Sequence, residues 1–212
     1  MKTQLRFQAV SAALVSLLLI AMFFVQLPKG MNYPGLEVLR GDWSLSPAQS
    51  TDYLNGMQMI FALDGLFLAV QILAWVGIAE VVRFRSPISG RLVLIFGLCG
   101  AVLDLAENST IWAALESLQA GHLPGTGWLI AWKTLQHLSY LFPMIGAIMA
   151  GSNLWGSRPF ERLVCLVGML FSAVAIVGLY QASLSFAPDL WYLAWFSSVA
   201  LLLWETSALQ EK

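Results

Sequence analysis

The sequence predicts an all-α polytopic membrane protein, a bundle of six transmembrane helices, on three observations. Of 212 residues, 58% are hydrophobic and 11% charged, whereas a soluble domain carries about 25% charge. Six apolar segments approach or exceed the roughly 20 residues that cross a bilayer. Seven of the eight prolines fall between or at the edges of those segments, where helix breakers belong.

The first segment, 7–27, follows "MKTQLRF" and has the outline of a secretion signal. Its 21 residues exceed the about 7–15 of a signal's apolar region, and "PKGMNYPG" after it offers no small-residue cleavage site. An uncleaved membrane helix is therefore expected. Residues 28–55 form the one long connection, either a lid or partner surface or an ordinary amphipathic surface loop. The remaining spans are 56–80, 92–115, 127–150, 163–183 and 189–208, within a single transmembrane domain over 1–212. Pro143 alone lies inside a span. It should kink the fourth helix and free a backbone carbonyl near Ser139.

Charge sets the expected orientation. With the N-terminus inside, eight Lys and Arg (Lys2, Arg6, Arg83, Arg85, Arg91, Arg158, Arg162, Lys212) are inner and two (Lys29, Arg40) are outer. Cationic loops stay cytoplasmic, so both termini are expected in the cytoplasm, with the chain in the cell's inner (plasma) membrane. Trp128, Trp132, Trp191, Tyr192 and Trp195 fall near outer helix ends, as interfacial anchors would. The net charge of −1 offers no basic surface for nucleic acid. Cys99 and Cys165 lie in apolar runs and read as reduced thiols.

The unusual chemistry lies inside the spans. An ionisable side chain there costs a few kcal/mol or more unless paired or hydrated, and marks a functional site by default. Asp64 is on the second span, Asp104 and Glu107 on the third, and Lys133 and His137 on the fourth, accompanied by Asn108, Gln136 and Tyr140. Asp104, Glu107 and Asn108 are spaced i, i+3, i+4 and share one helix face, which Gly97 and Ala101 continue inward. Lys133, His137, Tyr140 and Met144 likewise share a face.

Counting back from each hairpin turn pairs Glu107 with His137, Asp104 with Tyr140, and Asp64 with Asn108. Lys133 falls about a turn nearer the outside, its stem able to reach back. All then lie about 15 Å in from the outer helix ends at 1.5 Å per residue. Gln71, on the face of Asp64, would extend the polar track inward. Three carboxylates against one lysine and one histidine need a proton or cation to complete them.

No metal or cofactor is expected. Met57, Met59 and Met144 read as packing rather than copper ligands. His122 and His137 fall at different depths and do not suggest a joint haem or metal site. The sequence lacks a rhomboid-type serine and histidine pair and the nucleotide-binding glycine patterns.

Three functions fit. The first is binding or transport of a small polar or cationic ligand, or of protons, in a cluster of Asp64, Asp104, Glu107, Asn108, Lys133, His137 and Tyr140. The second is an intramembrane enzyme acting on a lipid or isoprenoid, with Glu107 and His137 as acid and base. The third is a structural subunit in which the cluster is glue. The expected partners are the lipid bilayer, a small-molecule ligand, and a second membrane protein or copy of this chain.

Overall fold

A computed structural model of the chain describes residues 2–25, 47–120, 125–181, 184 and 186–210. The helices are α1 (Lys2–Phe23), α2 (Pro47–Arg83), α3 (Pro87–Gln119), α4 (Thr126–Leu154), α5 (Pro159–Leu166), α6 (Ser172–Tyr180) and α7 (Ala187–Leu209). A π-helical stretch, Val167–Phe171, joins α5 to α6. The two therefore cross the bundle as one interrupted helix. No strand occurs among the described residues.

Five stretches among the described residues are long and apolar enough to cross a membrane: Thr3–Phe23, Leu54–Arg83, Pro87–Ser117, Pro159–Tyr180 and Ala187–Leu209. This is a helical, membrane-type architecture, but the expected count of six is not reached. The segment foreseen at 127–150 is helical as part of α4, 29 residues long. Lys133, Gln136, His137, Ser139 and Tyr140 dilute its apolar character. Part of the foreseen loop is also corrected, because residues 47–55 are the first turns of α2. Residues 26–46, which include all the rest of that loop, and His122 lie outside the described residues.

Each helix packs chiefly on its neighbours in sequence, and α7 returns to α1, closing a ring. The α1–α7 pair is antiparallel. The Arg6 guanidinium lies 5.8 Å from the Trp204 ring centre, and the Ser16 and Ser197 hydroxyls are 3.0 Å apart. The start of α1 and the end of α7 thus share one end of the bundle.

The interior is aromatic. Trp75 meets Trp195 and Phe196 at ring separations of 5.7 and 5.9 Å. Trp132, Trp191, Tyr192 and Trp195 are buried, which overturns their reading as interfacial anchors. Two of them satisfy their polar atoms inside the protein: Trp191 Nε1 donates to Ser172 Oγ at 2.7 Å, and Tyr192 Oη to the Ser139 carbonyl at 3.3 Å. An aromatic ring with an internal partner has no need of the lipid headgroups. Trp128 is half-buried and donates to the Thr110 carbonyl at 2.9 Å. Cys99 and Cys165 are free thiols, Cys165 buried and Cys99 half-buried.

Arg6, Arg85 and Arg158 gather where α1 begins and α7 ends. There the buried carboxylate of Glu161 accepts from Arg85, between α2 and α3, and from Arg158 at 2.5 Å. Arg158 also approaches Glu205 of α7 at 3.6 Å. Arg85 donates to the carbonyls of Asn153 and Trp155 at 3.2 and 3.4 Å, closing the end of α4. Glu161→Gln should destabilise the fold by roughly 2 kcal/mol, below the 3–5 of a fully buried pair, because the arginines keep contact with water. Thermal unfolding in detergent micelles measures this, and an unchanged midpoint would remove Glu161 from the account.

Candidate functional site

The polar groups meet where α2, α3 and α4 approach the start of α7. On α2, Asp64 is buried and accepts from the Asn108 amide of α3. This is the pair that hairpin counting sets at one level. One residue earlier, buried Glu107 accepts from Ser139 Oγ of α4 at 3.1 Å. Asp104 lies a turn inward on the same face, within electrostatic range of Asp64 and Glu107. It has no hydrogen-bond partner among the described residues.

Pro143 explains the local chemistry of α4. A helical proline carries no N–H for the carbonyl four residues earlier, which is that of Ser139. The hydroxyl of Tyr192 fills this place from α7. Gly100 of α3 admits the proline: a Cβ there would stand 2.2 Å from Pro143 Cγ. The freed carbonyl was legible in the sequence; its partner on another helix was not.

Two members escaped sequence reading. Asp189, in the first turn of α7, accepts from Tyr140 Oη at 2.5 Å. Tyr192, three residues on, lies with its ring 5.3 Å from that of Tyr140. Their i, i+3 spacing on one helix face was the available signal. The indole N–H of Trp132 lies near Glu107 without completing a hydrogen bond.

Two predicted members stand apart. His137 is half-buried with its ring 5.1 Å from Tyr180, in an edge contact. Lys133 is exposed, with no ion pair among the described residues. Tyr180 is the last residue of α6, so Lys133, one turn further out, has passed the helix that covers His137. The expected Glu107–His137 and Asp104–Tyr140 pairs are therefore replaced by Glu107–Ser139 and Tyr140–Asp189.

Apolar layers enclose the cluster. Met57, Ile60, Ile111, Ala114, Leu115 and Trp132 form a small core on its outer side. Phe67, Ala101, Met144 and Tyr192 belong to the main core on its inner side. Tyr140, Asp189, Asp104 and Asn108 are half-buried, whereas Asp64 and Glu107 are buried; the Tyr140–Asp189 pair forms the flank at the start of α7. The helices differ in reach: α2 has 37 residues and α7 has 23, about 55 and 35 Å at 1.5 Å per residue. The cluster lies level with the start of α7, so the outer parts of α2, α3 and α4 extend past it.

Four carboxyl groups from three helices thus meet two tyrosines, a serine and an asparagine. No Lys, Arg or His pairs with any of the four among the described residues. Nor do three His, Cys, Asp or Glu side chains converge to hold a metal ion there. Hydroxyls and carboxyls joined by hydrogen bonds can both give and take protons. No family model matches this chain, and no curated protein or solved structure matches it.

Proposed function

We propose that this is a multi-pass membrane protein that takes up protons at the cluster of Asp64, Asp104, Glu107 and Asp189. The observation that carries this reading is four acidic side chains brought together without a basic partner among the described residues. Carboxylates withdrawn from water require compensation. A structural lock would use opposite charges, and one is present elsewhere: Glu161 with Arg85 and Arg158.

Entry is from the flank of Asp189 and Tyr140, since the small apolar core closes the direction between α2, α3 and α4. The proton enters at the Tyr140–Asp189 hydrogen bond and crosses the cluster to Glu107, which Ser139 holds. All six passes of the ring, α4 included, cross the bilayer. A polar helix such as α4 is stable in lipid when its polar face meets protein. The arginine-rich end is cytoplasmic, which leaves both termini there. The chain works as one domain in the inner membrane.

The test uses purified full-length protein in vesicles with an internal pH dye. An imposed pH gradient should collapse faster than in protein-free vesicles. Infrared difference spectra should show a carboxylic acid C=O band that changes with pH. Flux at the protein-free rate, with no titrating carboxyl band, would overturn the reading in favour of a structural cluster.

A further inference from the structure

The centre of the ring holds a second set of polar groups that no residue of the cluster satisfies. Gln71 of α2 is fully buried, at 0% exposure, and its amide lies near the Tyr192 hydroxyl without completing a hydrogen bond at either atom. It lies beside the Tyr192 side chain, on the inner side of the carboxyl cluster. One turn further along α2, the Trp75 indole N–H is also buried and unpartnered. So is that of Trp195, whose ring lies 5.7 Å from Trp75. Gln8 of α1 is 3% exposed with an unpartnered amide oxygen. It lies against Gly77 of α2, where a Cβ would stand 3.2 Å from Gln8 Oε1.

Gln71 and Trp75 share one face of α2 and advance about 6 Å along it at 1.5 Å per residue, toward the end where the arginines gather, whereas Gln8, at Gly77, lies on another face. A buried amide or indole N–H without a partner is costly, and internal water is the usual remedy where several such groups adjoin. Gln71, Trp75 and Trp195 offer the mixed lining that water needs, with donors at all three and an acceptor at the Gln71 amide oxygen.

We infer that Gln71, Trp75 and Trp195 hold a line of internal water that runs from the carboxyl cluster toward the arginine-rich end of the bundle. Its role as a proton path rests on the proposed proton uptake; its existence does not. Protons would hop along the line from water to water, leaving the protein's covalent bonds unchanged.

Trp191 provides an internal control. It is as buried as Trp75 and Trp195, but its N–H is satisfied by Ser172. Millisecond hydroxyl-radical labelling of the full chain in vesicles, read by mass spectrometry, reports tryptophans that touch bound water. Trp75 and Trp195 should label at least about tenfold faster than Trp191, as wet against dry sites of equal burial. Gln71→Leu should slow labelling of Trp75 and lower proton flux about tenfold, the effect of losing one buried hydrogen-bonding site. Trp75→Phe keeps a smaller aromatic ring, removes the N–H, and serves if Gln71→Leu fails to fold; it too should lower flux. Labelling of Trp75 and Trp195 no faster than Trp191 overturns the inference, whatever the flux. Fast labelling without any wild-type flux supports the water line and overturns proton uptake alone.

Discussion

Glu107→Gln should lower proton flux into vesicles about 100-fold, the lower range for removing a positioned proton-transfer group. The fold should survive, because the new amide oxygen can still accept from Ser139 Oγ, now 3.1 Å from Glu107. Glu107→Ala would be ambiguous, since it also leaves the serine without its partner. Lys133→Gln should change flux less than about twofold, since an exposed side chain away from special features is worth about 0.5 kcal/mol or less. Sequence spacing alone would have made Lys133 the counter-ion of the cluster, with a large loss on its removal. Flux in the two variants therefore separates the observed arrangement from the expected one. Wild-type flux in Glu107→Gln would remove Glu107 from the proposed path.

Gly97→Ala should overpack the centre of the ring and lower stability markedly. A Cβ at Gly97 would stand 2.3 Å from Cδ2 of Trp75. Trp75 has little room to yield, being wedged against Trp195, Phe196 and Gly146. Overpacking a core costs about 1–3 kcal/mol, and a ring held on several sides falls at the upper end. For a chain of this size, that lowers the unfolding midpoint by roughly 6–12 °C. Gly65→Ala is the matched control: it lies on α2 with nothing within 4 Å of its Cβ position. Alanine there should be neutral or gain up to about 1 kcal/mol from helix propensity. Intrinsic fluorescence during heating in detergent distinguishes the two, and an equal midpoint for both would contradict the packing described.

The difference between these glycines was not written in the local sequence. Both lie in apolar helical runs, and only the neighbour across the interface separates them. The same holds for the aromatic residues near the outer ends. A tryptophan in an apolar run suits a lipid interface as well as a protein core. Burial of Trp191 and Trp195 follows from partners on other helices, not from their neighbours in sequence.

The chain alone determined the helical membrane class, the approximate place of its helices and the grouping of Asp104, Glu107 and Asn108 on one face. These follow from composition and from the 3.6-residue period, which are local. It also determined that Pro143 frees the Ser139 carbonyl, since a missing N–H is a covalent fact. The tertiary structure decided which faces turn inward, and so brought Asp189 and Tyr192 to the cluster while leaving Lys133 outside. In a soluble protein, the apolar stripe marks the inward face. Here lipid and core are equally apolar, so hydrophobicity cannot tell the two faces apart, and the choice is made by packing and hydrogen bonds between helices.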